Sequence, residues 1–155
     1  MAAAIRQRAK GARGKDAGED SGVRRERRSA RGILIMNASS VLVLEDSLII
    51  AMEAEDMLRA FGIETIGIVS SLEQAMEAAK AERYDFALLD VNLGEVMSFD
   101  FARHLRALDI PFGFVSGYSD TLDFPPDLQD VPLLVKPFDE AAMRIFLDKL
   151  FPAHA

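Results

Sequence analysis

Cysteine and tryptophan are absent from the chain, and histidine occurs only twice. Without cysteine there is no disulfide scaffold and no thiolate metal site, and the composition fits a reducing cytosol. Two histidines are too few for a His-rich metal centre. His104 falls in a helical pattern with no acidic triad around it and reads as a surface or groove residue, and His154 lies in the terminal tail. No apolar stretch approaches the roughly 18 residues that read as a membrane span. The Arg-rich N-terminus lacks an apolar block of about 7–15 residues behind it, so a secretory signal is not expected.

What is present is ample apolar surface and a divided charge. Half of the 155 residues are hydrophobic, enough for one domain with a real core. Residues 1–36 carry ten Lys/Arg against four Asp/Glu, whereas residues 37–155 carry eight against twenty-one. An acidic folded part does not look like a nucleic-acid binder, and no direct DNA contact is expected. Residues 1–32 have no period and almost no large apolar residue, so the segment 1–36 is expected to be a basic, disordered tail. Such a tail is a solvated extension, or lies upstream of a start at Met36, or is a basic arm for nucleic acid, a membrane or an acidic partner.

Beyond residue 40 apolar runs of strand length alternate with helical patterns. Strands are expected at Val41–Leu44, Thr65–Val69, Phe86–Leu89, Pro111–Val115 and Leu133–Val135. Ser47 and Ser71 are helix caps, and Gly62 a helix end. Ile50, Ala54, Met57, Leu58 and Phe61 mark the inward face of the first helix, and Met143, Phe146, Leu147, Leu150 and Phe151 that of the last. Continuous apolar strands between helices imply a parallel sheet covered on both faces. Pro125-Pro126 should leave the fourth helix short or irregular. The seven methionines fall mostly at core spacing and read as packing.

Four of the strands end in chemistry. Glu45-Asp46 follow the first, Asp90 ends the third, Ser116 the fourth, and Lys136 follows the fifth. Ligands of an open parallel sheet bind outside the carboxyl ends of its strands, so these residues should converge. Two like charges at 4 Å repel by roughly 4 kcal/mol at an effective dielectric of 20, so cations must offset the three carboxylates. Lys136 supplies one charge and a divalent cation would supply two. Hard oxygen donors in an open site suit Mg²⁺, which pairs with phosphate. A carboxylate nucleophile, a hydroxyl, a lysine and Mg²⁺ together make a phosphoryl-transfer site. Asp90 would attack phosphorus and form an acyl phosphate. Glu45, Asp46, Asp90 and the Asn92 backbone carbonyl are the metal candidates, while Ser116 and Lys136 would bind phosphoryl oxygens.

In these residues the chain resembles the receiver domain of two-component response regulators, across residues 41–151. Glu45-Asp46, Asp90, Ser116-Gly117 and Lys136-Pro137-Phe138 stand in that family's order. The resemblance implies a receiver domain over residues 37–155, of flavodoxin-like (βα)5 architecture, doubly wound, with a five-stranded parallel sheet in the order 2-1-3-4-5. It implies a cis bond before Pro137. It also implies a cytoplasmic phosphoprotein, not an enzyme acting on other substrates, that takes phosphate from a sensor histidine kinase or a histidine phosphotransfer protein. With only 36 residues outside the domain, the receiver itself is expected to act on a downstream protein, or to pass phosphate on as a relay or sink. More narrowly, Pro111-Phe112-Gly113-Phe114-Val115-Ser116-Gly117-Tyr118 is similar to the Pro-Phe-x-Phe-Ala-Thr-Gly-Tyr motif of FAT GUY receivers. Those are mostly single-domain regulators of alphaproteobacteria linked to HWE or HisKA2 kinases.

Three positions depart from the family pattern. Glu45 replaces the usual first Asp, and Ser116 lacks the Thr methyl. Leu133, three before Lys136, stands where a switching Tyr or Phe is usual. The switch candidates are therefore Ser116 and Tyr118, the alternative for Tyr118 being a loop aromatic packed on the last helix. Other classes fit less well. A flavodoxin-like cofactor binder needs a neutral phosphate loop where Glu45-Asp46-Ser47 stands. An aspartyl phosphatase wants a second Asp at position 92, which is Asn. A non-phosphorylated, receiver-like adaptor would not need all five site residues to keep usable chemistry.

Overall fold

A computed structural model describes residues 38–117 and 124–151 and the backbone of residues 6–9. The elements are β1 (Arg6–Ala9), β2 (Ser40–Leu44), α1 (Leu48–Ala60), β3 (Thr65–Val69), α2 (Leu72–Ala81), β4 (Phe86–Asp90), α3 (Phe99–Ala107), β5 (Phe112–Ser116), β6 (Leu133–Val135) and α4 (Glu140–Leu150). The sheet order is β1-β3-β2-β4-β5-β6. Strands β2 to β6 are mutually parallel. They stand in the second-first-third-fourth-fifth order expected of them. The sixth strand is a correction. Arg6–Ala9, inside the segment expected to be disordered, pairs antiparallel with β3. The outer edge of β3 offers unpaired amides and carbonyls, and backbone pairing needs no apolar side chains.

Local chemistry starts and stops the helices where the sequence suggests. Ser47 Oγ accepts the Ile50 amide at 3.4 Å, and Ser71 Oγ accepts the Gln74 amide at 3.2 Å. Asp139 Oδ1 accepts the Ala142 amide at 2.8 Å and opens α4. Gly62 follows α1 at φ 99°, a conformation glycine adopts without steric cost. Ser98 stands at the start of α3 with no side-chain cap bond. Between β5 and β6 the described residues hold only a 3-10 turn, Pro126–Leu128, where an irregular helix was expected.

Strand alternation divides the core between the two sheet faces. On one face Val41, Val43, Ile66, Ile68, Phe86 and Leu88 pack with Ala51, Ala54 and Leu58 of α1 and Met143, Phe146 and Leu147 of α4. On the other, Leu42, Leu44, Ala87, Leu89, Phe112 and Phe114 pack with Ala75 and Ala78 of α2 and Phe101, Ala102 and Leu105 of α3. Gly113 sits where the Phe146 ring crosses β5, and a Cβ there would collide with that ring. At the amino ends of the strands, Asp85 Oδ2 accepts the amides of Ser39 and Ser40 at 2.7 and 3.0 Å, tying β2 to the start of β4. The opposite ends, held apart by this packing, carry the polar residues.

Candidate functional site

The carboxyl ends of β2, β4, β5 and β6 put the polar residues on one edge of the sheet. Asp90 is the last residue of β4 and Ser116 the last of β5. The two strands stay paired up to that point, with Asp90 opposite Val115. The Lys136 amide donates to the Ser116 carbonyl at 2.9 Å, which aligns the lysine with the end of β5. The Lys136-Pro137 peptide bond is cis. Glu45 is held from two sides. Its amide donates to the Val69 carbonyl at 3.0 Å, and its Oε2 accepts the Ser47 amide at 3.0 Å.

Glu45 and Asp90 are buried, at 4% and 2% exposure, whereas Asp46 faces solvent. Carboxylate oxygens of the three residues lie within 4.8 Å of one another. Lys136 Nζ bridges the two buried acids, 3.2 Å from Glu45 Oε1 and 3.2 Å from Asp90 Oδ2. One ammonium thus faces three carboxylates.

The titration of the site follows from this imbalance. Burial, then repulsion by Glu45, pushes the Asp90 carboxyl from 3.8 up to about 7, although Lys136 pulls it down. Burial works to lower the Lys136 ammonium, but the charges of Glu45 and Asp90 outweigh it and hold it above its ordinary value. Further positive charge beside Asp90 would favour its ionised form. The donors are all hard oxygens and the entrance at Asp46 is open, which fits Mg²⁺. Glu45, Asp46 and Asp90 could hold such an ion. Asn92 follows Asp90 by two residues in a bridge with Met97, and its Oδ1 accepts the Gly94 amide at 3.0 Å.

Two further groups have their partners outside this cluster. Ser116 is fully buried, and its hydroxyl donates to the Gly117 carbonyl at 2.9 Å. Leu133 lies opposite Phe114 in the β5–β6 register and packs, half-buried, in the core of the α2–α3 face. Tyr118, the other switch candidate, and His154 lie outside the described residues. His104 is half-buried beside the Phe101 ring, away from the carboxylates.

Some supporting residues were not foreseen. Phe138 joins Val43, Ile50, Ala54, Leu88 and Val115 in an apolar lining behind Glu45. Its position directly after the Lys-Pro pair was the available signal. Phe114, two residues before Ser116, meets Phe99, Phe112 and Phe124 at centroid distances of 5.8, 5.8 and 5.3 Å. That ring cluster joins the strand carrying Ser116 to the segment before β6. The density of phenylalanine in 99–124 was its trace in the sequence.

Known proteins resemble this arrangement. Residues 41–148 match the model of the response regulator receiver domain. The transcriptional regulatory protein PdtaR of Mycobacterium tuberculosis is 30% identical over 101 residues, which are 63% of this chain and 49% of that protein. The phyllosphere-induced regulator PhyR of Methylorubrum extorquens is 26% identical over 107 residues, 67% of this chain and 40% of that protein. The chain therefore spans about half the length, or less, of these curated relatives. The solution structure of SdrG from Sphingomonas melonis Fr1 superposes with a TM-score of 0.67 at 35% identity, covering 73% of this chain and 96% of that one.

Proposed function

The chain belongs to the response regulator receiver domain family, and from that premise we propose that Asp90 accepts a phosphoryl group in a Mg²⁺-dependent reaction. The observation that carries this reading is the buried pair Glu45 and Asp90 bridged by Lys136, with Asp46 at the open side. In the transfer, a carboxylate oxygen of Asp90 attacks the phosphorus of a phosphohistidine. The new P–O bond forms as the P–N bond breaks, and the imidazole leaves with the electron pair. Glu45, Asp46, Asp90 and the Asn92 carbonyl would hold Mg²⁺, which supplies positive charge against the phosphoryl oxygens.

The chain's own groups then have defined tasks. Lys136, now shared between two carboxylates, turns to a phosphoryl oxygen once Asp90 carries the phosphoryl group. Ser116 leaves the Gly117 carbonyl and donates to another phosphoryl oxygen. Both movements pull on the ends of β5 and β6, so the signal is a change in the loops after those strands. Ser116 is the switch residue, with Tyr118 as its partner in place of the aromatic that Leu133 replaces.

The donor is a sensor histidine kinase or a histidine phosphotransfer protein, and the recipient of the signal is a downstream protein. The Pro111–Tyr118 motif favours a FAT GUY receiver and an HWE or HisKA2 kinase. On this reading the chain is a cytoplasmic signalling protein that catalyses its own phosphorylation and dephosphorylation rather than an enzyme for other substrates. Among the described residues no helix is long and apolar enough to cross a membrane. The test is intact-mass spectrometry after incubation with Mg²⁺ and a phosphorylated kinase of that type. One added phosphoryl group, lost in Asp90→Asn and with EDTA, supports the reading. An unlabelled chain under conditions that label a control receiver contradicts it.

A further inference from the structure

The open edge of β3 is not open in this structure: Arg6 pairs with Ile68 and Arg8 with Ile66 in an antiparallel ladder. The hydrogen-bonding phase of β3 fits that partner. The Thr65 amide donates to Ser39 and the Val69 carbonyl accepts from Glu45, so the odd-numbered residues of β3 face β2. In a parallel strand the amide and carbonyl of one residue point to the same side, so those of Ile66 and Ile68 point outward. Those two residues are the ones set opposite Arg8 and Arg6.

Geometry favours the chain's own segment over a second copy's. Ala9 and Ser40 both align with Thr65, from opposite sides of β3. The connection from Ala9 to Ser40 needs to bridge only about 10 Å, two strand spacings. Residues 10–39 reach many times that distance. A tethered segment acts at an effective concentration of the order of mM, far above that of a second molecule at micromolar protein. Charge adds to this. Residues 1–36 are strongly basic, while the helices flanking β3 expose Glu53, Asp56, Glu73 and Glu77. The far edge needs no such cover, because β6 has only three residues.

We propose that Arg6–Ala9 is an intramolecular guard strand, which occupies the outer edge of β3 in cis and keeps that edge from pairing with a second copy of the chain. The N-terminal segment is then a working part of the fold.

Amide hydrogen exchange on the full chain tests this, with proline placed at single positions. Arg8→Pro removes the amide that faces Ile66, whereas Gln7→Pro removes one that points to solvent, where an edge strand tolerates proline. Arg8→Pro is expected to lower protection of the Ile66 amide at least tenfold, and Gln7→Pro to leave it within twofold. The Gly67 amide, which faces β2, stays protected in both and reports that the sheet remains folded. Equal effects of the two prolines, or none from Arg8→Pro, overturn the pairing. Ile66 protection that rises with protein concentration in the unmodified chain overturns the cis assignment. The double variant Arg6→Pro/Arg8→Pro should regain Ile66 protection only as its concentration is raised and dimers form. A double variant that stays unprotected and monomeric at all concentrations overturns the guarding role.

Discussion

Asp90→Asn should make the metal-free protein more stable, and more so as the pH rises. Asp90 is buried beside Glu45, and these two causes lift its carboxyl from 3.8 to about 7. A carboxyl raised in the folded state binds more protons there than in the unfolded chain. Its stability contribution is therefore complete below the unfolded value and is lost as pH rises through the folded one. At 1.36 kcal/mol per pKa unit, the full penalty for ionising Asp90 is at most about 4 kcal/mol, less what water reaching past the exposed Asp46 screens. Part of it is already present at pH 5, so the part gained between pH 5 and pH 8 is roughly 2–3 kcal/mol. Asparagine keeps the shape and cannot ionise. Urea unfolding of both proteins in EDTA from pH 5 to pH 8 measures the difference, in which the other titrating groups largely cancel. The stability gap should widen by about 2–3 kcal/mol over that range. Mg²⁺ should then narrow it, because the ion binds and stabilises only the protein with the carboxylate. A gap that is constant with pH refutes the picture of a strained, half-protonated acid.

Three more substitutions have directions set by the structure. Lys136→Met removes the ammonium that bridges Glu45 and Asp90, and the Asp90 carboxyl should titrate still higher, read by carboxyl carbon NMR in the absence of metal. Gly113→Ala puts a methyl into the Phe146 ring and should cost about 1–3 kcal/mol in a urea melt. Ser98 is fully buried, and its hydroxyl is the one side-chain polar atom without a hydrogen-bond partner among the buried atoms of the described residues. Ser98→Ala should therefore be neutral or stabilising by about 1 kcal/mol, and a loss of stability on thermal unfolding would show a bond that the static structure lacks.

The parallel sheet and the site were legible for one reason: both rest on backbone periodicity. Each of β2, β4 and β5 is a short apolar run, and the acidic or hydroxyl residue that ends or follows it marks the strand's carboxyl end. Ser47, Ser71 and Gly62 announced their helix boundaries by capping chemistry. The N-terminal strand was not legible, because Arg6-Gln7-Arg8-Ala9 has no apolar alternation and pairs through main-chain groups that every residue carries. Asp85, which ties β2 to β4, lies outside the apolar strand pattern, and that pattern does not mark it. The bridging role of Lys136 was visible as a charge but not as a geometry. Its position between Glu45 and Asp90 depends on how β2, β4 and β6 line up in space. Ser116 was found as a hydroxyl at a strand end, whereas its bond to the Gly117 carbonyl is a rotamer choice that sequence does not encode.

The central claim is that Asp90 is the phosphoacceptor, and the direct measurement is where phosphate lands. The chain would be incubated with Mg²⁺ and a phosphorylated HWE- or HisKA2-type kinase, trapped by borohydride reduction of the acyl phosphate, digested, and mapped by mass spectrometry. The account predicts one modified residue, Asp90, converted to homoserine in the peptide containing Phe86-Ala87-Leu88-Leu89, and no modification when Mg²⁺ is chelated. Modification at Glu45 or Asp46 with Asp90 intact, or none anywhere while a control receiver is labelled, would contradict it.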